Sequence, residues 1–365
     1  MKFRKITDVI TAIVFSVIVF GFCVLTVFLP KKSVSESERR TLAKMPEFSL
    51  QTVVDGTFFN GLTEYVTDHF AFREAFRTMN TVVRVDMLQQ PDSGGVFEAE
   101  GGYLFEPSWP MDEQALHSNV KLLQKVTDTY FADKPVYISL IPDKADFTDT
   151  ACLKLDTQRV VDLVRENFSG EYIDITPTLS LTDYYRTDTH WKQEMLEETA
   201  NALVTGMGGE PLRNDFKWKT LDGPFHGVLW GRYAKPLSAE DVLCYGVNTA
   251  TENAVLKDFA HPDVHTVYVP ETKSSDRYDV FLSGATPIIE IENAEAETDK
   301  HLVLFRDSFG SSMAPWLLTR YAKITIIDIR YVSSAIVGEQ TELSTADEVL
   351  FLYSTSILNT GGILK

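Results

Sequence analysis

The sequence predicts an α/β domain, built on a doubly wound parallel sheet with helices on both faces, behind one N-terminal transmembrane helix. Three observations predict this class: a long apolar run near the N-terminus, short β-rich apolar runs that alternate with helical stretches, and a hydrophobic content of 44% in 365 residues. Alternating strands and helices are typical of parallel sheets, because each crossover lays a helix on the sheet. The chain is long enough for one large domain or two small ones.

The first element is the apolar run at residues 9–29. About 20 such residues at 1.5 Å each are needed to cross a bilayer, so the run predicts one crossing. Lys2, Arg4 and Lys5 precede it, and the positive-inside rule places that end in the cytoplasm and everything after Pro30 on the far side. A cleaved signal peptide is the alternative, but the run is long for one and lacks a small-residue cleavage site.

The rest of the chain is predicted to form one extracytoplasmic domain with an insertion. We assign residues 1–32 to the cytoplasmic tip and membrane anchor, and the polar residues 33–47 to a juxtamembrane linker. Residues 48–365 form the domain, within which the stretch 208–299 is richer in Gly, Pro, Asp and aromatic residues and is predicted to be a β-rich insertion. Helical spacing of apolar residues predicts one or two amphipathic helices over 52–88.

Short apolar β-rich runs alternate with helical periodicity through the remainder of this domain. Paired glycines at 94–95 and 101–102 bracket a hairpin-like stretch. The predicted strands cover residues 136–141, 171–175, 301–305, 324–329 and 348–352, with shorter β-like pieces at 266–269 and 278–282. The predicted helices cover residues 112–131, 157–167, 192–205 and 310–321.

Charge and cysteine content exclude some classes of function. The 52 acidic and 34 basic residues give a formal net charge of -18, which repels phosphate backbones, so nucleic-acid binding is not expected. Of the three cysteines, Cys23 lies in the apolar run, which leaves Cys152 and Cys244 as the pair available in the main domain. A disulfide and two free thiols both remain open for this pair. The spacing predicts no cysteine-based metal site, and no cofactor is predicted.

One candidate motif follows the strand predicted at 301–305 and opens the next helix. Ser308 lies at this turn, where an open parallel sheet places its ligand sites. Its hydroxyl is predicted to be an exposed nucleophile, and the unpaired N–H groups of the first helical turn are suited to hold a developing oxyanion. The alternative is that Asp307 or Ser308 only caps the helix.

The second candidate motif is Asp188-Thr189-His190. A serine hydroxyl is a poor nucleophile until a base takes its proton, and an imidazole oriented by a carboxylate is the usual base. Asp188 and His190 are two positions apart, so in an extended turn their side chains can project to one side and meet. The alternatives are a helix cap by Asp188 or Thr189, or a metal site that would have to recruit further ligands from His226, His261 or His265.

Several short motifs across the soluble region carry a resemblance to a known family. They are residues 35–40, 68–73, 102–105, 142–144, 187–191, 278–284, 306–310 and 328–331. In their order and spacing the chain resembles the DHHW proteins and the related alginate-biosynthesis acetyltransferases. The catalytic domains of those proteins are similar to SGNH hydrolases with a circularly permuted motif order, so the resemblance implies an SGNH-like sheet here.

The resemblance also implies a function. Asp188, His190 and Ser308 would form a catalytic triad, and Thr189, where the family name has a second histidine, leaves these three in place. The implied activity is membrane-anchored O-acetyl transfer to a cell-surface or secreted polysaccharide through an acetyl-serine intermediate. If the acetyl group comes from cytoplasmic acetyl-CoA, a multi-spanning membrane acyltransferase is expected as a partner, because this chain has one predicted crossing and no recognisable CoA site. The alternatives are a carbohydrate acetylesterase of the same fold and a non-catalytic glycan-binding or assembly protein.

Four further residues are candidates for the site. Gly284 either adds an oxyanion donor, allows a close backbone approach or is a plain turn glycine. Lys144 and Arg330 each follow a predicted strand at one sheet edge, where they either bind an anionic or hydroxyl-rich substrate or pair with carboxylates. Among tryptophans able to stack on a sugar ring, Trp230 is favoured over Trp109 and Trp316, because it lies in a glycine-flanked loop.

Overall fold

The computed structural model describes residues 2–237, 239–272 and 274–365, with side chains from Ile6 onward. The side chains of Lys2, Arg4 and Lys5, on which the predicted membrane orientation depends, therefore lie outside the described residues. The chain divides into two compact units, which are Met1–Gly94 with Trp230–Pro236, and Gly95–Leu229 with Leu237–Lys365.

The smaller unit begins with a long apolar helix, α1 (Lys2–Phe28). Its segment Ile6–Phe28 has 23 residues of mean hydropathy 2.7, and so is long and apolar enough to cross a membrane. The predicted linker at 33–47 contains a short antiparallel ribbon, in which β1 (Val34–Ser35) pairs with β2 (Arg40–Thr41). Residues after this ribbon up to Gly94, which the sequence analysis assigns mainly to the large domain, group with α1.

Three α-helices and a π-helical turn occupy the stretch in which one or two helices are predicted. They are α2 (Leu50–Val54), α3 (Thr57–Asp68), α4 (Arg73–Thr81) and the π-helical turn Val82–Met87, followed by the strand β3 (Asp92–Ser93). Gly56 and Phe72 interrupt the helices, because each has a left-handed backbone conformation, with φ of 82° and 59°. Apolar spacing does not register such breaks, so the predicted number of helices is too low.

The junction between α3 and α4 is tied to β2 by the partly buried carboxylate of Asp68. Arg40 donates to both oxygens of Asp68 at 2.9 and 2.5 Å, and the Ala43 N–H donates to Oδ2 at 2.8 Å. The Arg40 hydrogen bonds hold the pKa of Asp68 well below its usual range. His69 Nε2 lies 2.9 Å from the Ala43 carbonyl oxygen, so this adjacent Asp and His both have structural partners.

The larger unit carries the remaining strands and helices. Its strands are β4 (Val96–Ala99), β5 (Tyr103–Phe105), β6 (Val136–Ile141), β7 (Glu171–Tyr172), β8 (Lys217–Thr220), β9 (Cys244–Val247), β10 (Val255–Asp258), β11 (Ile288–Glu292), β12 (Thr298–Arg306), β13 (Tyr321–Ile327) and β14 (Glu348–Ser354). Its helices are α5 (Glu113–Tyr130), α6 (Thr157–Asn167), α7 (Glu197–Gly206), α9 (Thr249–Asn253), α10 (Gly310–Leu317), α11 (Val337–Gln340) and α12 (Thr355–Leu358). Helix α8 (Val228–Tyr233) contains the boundary between the two units.

Seven strands form the central sheet in the order β10-β11-β13-β12-β14-β6-β7. The strands β13, β12, β14, β6 and β7 are mutually parallel, whereas β11 and β10 are added antiparallel at one edge. Leu304 of β12 lies opposite Ile326 of β13 on one side and Leu350 of β14 on the other. This arrangement confirms the predicted α/β class with a mostly parallel sheet.

Both faces of the sheet are covered by helices, because the strands carry apolar side chains on both faces. Along β12, Leu302 and Leu304 belong to one buried cluster, and Val303 and Phe305 belong to another. Successive side chains of a strand point to opposite faces, so a strand that is apolar at every position must be buried on both sides. Helices α5 and α6 cover the face of Phe305, and α7 and α10 lie on the other face.

Some predicted elements differ from the structure. The strand predicted at 171–175 is reduced to β7, and the helix predicted at 310–321 ends at Leu317, because Tyr321 already starts β13. The β-like pieces at 266–269 and 278–282 supply only an isolated bridge between Tyr268 and Phe281, and residues Arg277–Val280 form a 3₁₀ turn. Buried turns and buried strands are both apolar, so periodicity does not separate them.

The predicted insertion is not wholly separate from the sheet. Two of its strands, β10 and β11, extend the central sheet, whereas β8 and β9 pair only with each other. The predicted hairpin between the glycine pairs is present, because β4 pairs antiparallel with β5. Cys23, Cys152 and Cys244 are all free, so the open question of a disulfide resolves as two separate thiols in this structure.

Candidate active site

Ser308 lies where β12 ends and α10 begins, at the carboxyl edge of the parallel strands. Strand β12 ends at Arg306, and Asp307 then fixes the turn. One oxygen of its carboxylate, Oδ1, accepts the Phe309 N–H at 3.0 Å, and the other, Oδ2, accepts the Ser354 N–H from the end of β14 at 2.8 Å. Asp307 is therefore the capping residue of this turn, which leaves the Ser308 hydroxyl available for another partner.

Asp188 and His190 lie on a hairpin-like loop. Tyr184 and Trp191 form an antiparallel bridge, and the Tyr185 N–H donates to the His190 carbonyl at 3.0 Å. These two contacts bring the ends of the loop together, so the side chains between them lie at its tip. The backbone N–H of His190 also donates to Asp188 Oδ1 at 3.1 Å, which orients the carboxylate towards the imidazole.

The structure brings the two motifs together. His190 Nδ1 lies 2.6 Å from Asp188 Oδ1, and His190 Nε2 lies 2.8 Å from Ser308 Oγ. A carboxylate at Nδ1 favours the tautomer with its proton there, so Nε2 is free to accept the serine hydroxyl proton. Asp188 is buried and His190 keeps a small exposed fraction. The three groups thus have the connectivity of a nucleophile, a base and an orienting acid.

An aromatic shell around His190 is the part of the site that the sequence analysis misses. Tyr278 stacks on the imidazole with ring centroids 4.0 Å apart, and Phe309 packs at 4.9 Å. The Tyr278 hydroxyl donates to Ser312 Oγ at 2.8 Å, and burial raises its pKa well above the usual value, so it stays protonated. The Trp191 indole N–H donates to the same Ser312 oxygen at 2.9 Å. These contacts fix the ring plane of His190.

A second missed segment holds Asp188 from the other side. The Val228 N–H donates to Asp188 Oδ2 at 2.9 Å, and the Gly227 N–H donates to Thr187 Oγ1 at 2.8 Å. A Cβ at Gly227 would come within 2.3 Å of the Asp188 Cβ and 2.4 Å of the Thr187 carbonyl oxygen, so only glycine permits this approach. The one signal for this contact in the sequence is the glycine itself, in the loop that precedes Trp230.

Lys144 lines the cavity beside Ser308, but its ammonium group is bonded to backbone carbonyls, so the predicted pairing with a carboxylate is wrong. Its Nζ donates to the carbonyl oxygens of Leu104 at 2.6 Å, Tyr185 at 2.6 Å and Asp188 at 2.5 Å. An ammonium group has three protons, and these carbonyls engage all of them. The residue is buried, and burial lowers its pKa to about 7. Lys144 therefore positions the loop that carries Asp188 and His190.

The predicted oxyanion donors also differ from the structure. In the first turn of α10, the Gly310 N–H donates to the Asp307 carbonyl at 3.1 Å and the Ser311 N–H to the Ser308 carbonyl at 3.2 Å, while the Phe309 N–H is held by the Asp307 side chain. These amides are engaged within the turn. Within the described ranges, the Ser308 N–H has no hydrogen-bond partner, so it is the amide of this turn that is free to face an oxyanion.

Gly284 is a turn glycine rather than an oxyanion donor. Its φ is +85°, its N–H donates to the Phe281 carbonyl at 3.2 Å, and a Cβ there would lie 2.3 Å from Asp279 Oδ1. Gly284 therefore fits two of its three predicted roles, a plain turn glycine and a position of close backbone approach. The oxyanion role is wrong, because the N–H is already used.

Arg330 pairs with a carboxylate, the second of its two predicted roles. Its Nη2 and Nε lie 2.6 and 2.9 Å from the oxygens of Asp328. Arg306, which is fully buried, approaches the same carboxylate at 3.5 Å, and burial lowers its pKa. Arg330 is not among the residues that line the cavity at Ser308, so a substrate role is not supported.

A cavity of about 400 Å³ opens beside Ser308. This volume is in the range of small-molecule sites. Its lining combines aromatic, hydroxyl and amide groups, among them Phe105, Trp109, Ser308, Phe309, Ser356 and Asn359. Trp230, the favoured stacking candidate, does not line it and lies half-buried in the smaller unit, while Trp316 is fully buried. Of these three candidates, Trp109 is the one that lines the cavity.

The rim that carries Trp109 is held by side-chain hydrogen bonds. The backbone N–H and hydroxyl of Ser108 donate to Asp143 Oδ2 at 2.9 and 2.7 Å. Asn359 Nδ2 donates to the Pro110 carbonyl at 2.9 Å, and its Oδ1 accepts the Asp112 N–H at 2.7 Å. Trp109 therefore has a fixed backbone while its side chain remains 55% exposed.

Three of the histidines considered as metal ligands, His190, His226 and His261, have other partners. Both ring nitrogens of His190 are engaged by Asp188 and Ser308, and His226 and His261 lie 3.1 and 3.0 Å from the carboxylates of Glu240 and Asp258 respectively. In the described part of the chain, no group of three or more His, Cys, Asp or Glu residues is placed to hold a metal ion.

No family model matches the chain, and no curated protein matches it in sequence. Solved structures match it in fold. A DHHW family protein from Eubacterium siraeum is 18% identical with a TM-score of 0.59, over 74% of this chain and 94% of that chain. Bacillus cereus PatB1, in a structure with a sulfonyl adduct, is 17% identical with a TM-score of 0.59, over 74% and 99%. The O-acetyltransferase domain of Pseudomonas putida AlgJ is 15% identical with a TM-score of 0.46, over 73% and 92%.

These likenesses concern the fold. The seven-stranded, mostly parallel sheet of this chain, together with its likeness to these structures, confirms the predicted SGNH-like α/β class. The resemblance to DHHW proteins, drawn from short motifs, is likewise matched by a solved DHHW structure.

Proposed function

We propose that this protein is a membrane-anchored O-acetyltransferase that moves an acetyl group to a hydroxyl of an extracytoplasmic polysaccharide through an acetyl ester on Ser308. The observation that carries the proposal is the continuous chain of contacts from Asp188 through His190 to Ser308, with distances of 2.6 and 2.8 Å. A hydroxyl in this setting is activated as a nucleophile, and the adjoining cavity has room for an acyl group and part of an acceptor.

The first half-reaction acylates the serine. His190 Nε2 takes the Ser308 hydroxyl proton while Oγ bonds to the acetyl carbonyl carbon, and the Ser308 N–H faces the oxygen that becomes negative. The bond to the donor's leaving oxygen or sulfur then breaks, and the protonated imidazole returns the proton to that atom. Asp188 stabilises the imidazolium throughout, because its carboxylate stays at Nδ1.

The second half-reaction repeats these steps with the acceptor. An acceptor hydroxyl gives its proton to His190 and attacks the acetyl carbon, after which Ser308 Oγ leaves and regains the proton. Water in place of the acceptor would give hydrolysis, so exclusion of water from the cavity decides between transfer and esterase activity. Trp109 supports a sugar acceptor, because its exposed indole offers an apolar face at the rim.

The proposed location is the outer face of the cytoplasmic membrane, with the N-terminus inside. Helix α1 supports the anchor, and the basic residues before it support the orientation. Among the described residues α1 is the one helix long and apolar enough to cross a membrane, so a donor from the cytoplasm would need a separate multi-spanning acyltransferase. This acyltransferase is the proposed partner of the chain.

A labelling experiment tests the nucleophile. The purified chain is treated with a sulfonyl fluoride, and separately with a chromogenic acetyl ester, and peptides are analysed by mass spectrometry. We expect one sulfonyl group or one acetyl group on Ser308, ester turnover in the wild type, and loss of both in Ser308→Ala. A polysaccharide added as acceptor should divert acetyl from water to sugar.

Ser283 provides a matched control for this experiment. Its hydroxyl also lies beside an Asp and a His, but it donates to Asp258 Oδ2 at 2.6 Å and not to an imidazole. Ser283→Ala should keep both labelling and turnover. Labelling elsewhere in the chain, or turnover that survives Ser308→Ala, would contradict the proposal.

A further inference from the structure

The smaller unit exposes several large apolar side chains on its helices. On the helix α4 and the π-helical turn after it, Phe72, Phe76, Met79 and Val83 are all exposed. Their spacing of four, three and four residues puts them on one face. On α3 and just beyond it, Phe59, Val66 and Phe70 form a similar exposed row. We call these seven side chains the apolar face. An exposed face of this kind marks a surface that is covered in the working protein.

The apolar face is continuous with the predicted membrane-spanning helix. Phe22 of α1 stacks on Phe70 with ring centroids 5.6 Å apart, and contacts Phe76 at 5.4 Å and Phe72 at 6.4 Å. The contact includes the backbone, because the Ala71 N–H donates to Thr26 Oγ1 at 3.1 Å. The connection between α3 and α4 therefore rests directly on α1.

The position of Phe22 along α1 sets the depth of this contact. Six residues separate Phe22 from the end of the apolar segment at Phe28, which is about 9 Å of helix at 1.5 Å per residue. Even if the bilayer core covered only the 20 residues from Ile6 to Leu25, Phe22 would lie about 4 Å inside its edge. Side chains that stack on Phe22 must then reach the same level.

We infer that the apolar face lies in the outer leaflet of the membrane, so that α3 and α4 form an interfacial platform around the anchor. The inferred occupant is lipid, since the face continues the exposed apolar surface of α1, in which only 6% of an apolar 18-residue stretch is buried. The polar side of α4 fits this position, because Arg73 and Arg77 leave the apolar face and pair with Glu38 at 2.7 and 3.6 Å. This inference rests on the membrane anchor proposed above.

Spin labels in lipid vesicles test the inference. The full chain, with its three free cysteines replaced by Ala, is reconstituted in vesicles of phosphatidylcholine and phosphatidylglycerol. A nitroxide is attached at Met79→Cys or at Glu74→Cys, two sites on α4 with similar exposures of 54% and 57%. Five residues apart, they point about 140° away from each other. Oxygen, which concentrates in lipid, and a water-soluble nickel chelate then report the surroundings of each label.

The expected result is a several-fold higher ratio of oxygen to nickel collisions at Met79→Cys than at Glu74→Cys. A label at Val17→Cys, on the exposed surface of α1, tests the anchor itself. If Val17→Cys reports lipid and Met79→Cys reports water, the platform is wrong while the anchor stands. If Val17→Cys also reports water, the anchor fails. A Met79→Cys label that is immobile and shielded from both reagents would show a protein cover and overturn the lipid assignment.

Discussion

Substitution of Trp109 can test acceptor binding separately from the chemistry at Ser308. Its indole is exposed at the cavity rim and contacts none of the three reacting groups. Replacing it by Ala should raise KM for an oligosaccharide acceptor roughly tenfold, which corresponds to about 1.4 kcal/mol of lost stacking. Hydrolysis of a small acetyl ester should be almost unchanged. Steady-state kinetics with and without acceptor measure both quantities.

The control for Trp109→Ala is Trp109→Phe. A phenyl ring retains a flat apolar face, so this variant should keep most of the acceptor affinity. An equal loss of ester hydrolysis and acceptor transfer in Trp109→Ala would mean that the rim supports the whole site rather than the sugar, and would remove the stacking role.

At the residue scale the sequence predicts reactive groups better than their supports. Asp188, His190 and Ser308 have residue types that chemistry restricts, and their motifs are local, so each could be named in advance. Tyr278 and Gly227 support them from positions distant in sequence, and neither residue type indicates which side chains it will contact. Lys144 was noticed for its charge, but its three carbonyl partners depend on how three chain segments meet.

At the element scale, the loop that carries Asp188 and His190 depends on one buried cation. Lys144→Met would leave the carbonyls of Leu104, Tyr185 and Asp188 without their donor, and unpaired buried groups cost about 1–3 kcal/mol each. We expect a loss of at least roughly 3 kcal/mol in the free energy of unfolding. We also expect a lower kcat, because the loop that carries Asp188 and His190 loses the hydrogen bonds that hold it in place. Urea unfolding and ester turnover measure the two effects.

Lys154→Met is the comparison for this change. Lys154 Nζ donates to a single carbonyl, that of Thr148, at 2.5 Å. Its removal should lower stability less and leave kcat unchanged. If the two variants lose equal stability, or if Lys144→Met unfolds readily but retains full kcat, then Lys144 does not position the loop.

The bounds of a helix or strand were predicted best where its pattern of buried residues is regular. Strand β6 and helix α6 match their predicted bounds, because one is a continuous apolar run closed by Pro142 and the other starts at the cap Asp156, whose side chain accepts the Arg159 N–H at 3.0 Å. The helices within 52–88 were predicted in kind but not in number, because apolar spacing does not register the breaks at Gly56 and Phe72. Apolar spacing predicts a helix but not what covers it.

At the scale of the whole molecule, the free energy of unfolding depends on pH through His301, which lies on β12 of the central sheet. Its ring nitrogens lie 2.8 and 2.9 Å from the hydroxyls of Thr325 and Thr345. Burial, with a smaller effect from Lys323, lowers its pKa from 6.5 to about 4, against the opposing influence of Asp347 and Glu290. The folded protein therefore holds this histidine neutral at pH values where the unfolded chain already binds a proton.

The sign of the dependence follows from that difference. Above pH 6.5 neither state carries the proton and the full stability is present, whereas stability falls as the pH drops from 6.5 towards 4. Between pH 7.5 and 5 the expected loss is about 2 kcal/mol. His301→Gln, which stays neutral, should lose about 2 kcal/mol less than the wild type over this interval. Urea unfolding of both proteins in detergent at the two pH values gives the comparison, and equal losses would show that another group controls the acid sensitivity of the fold.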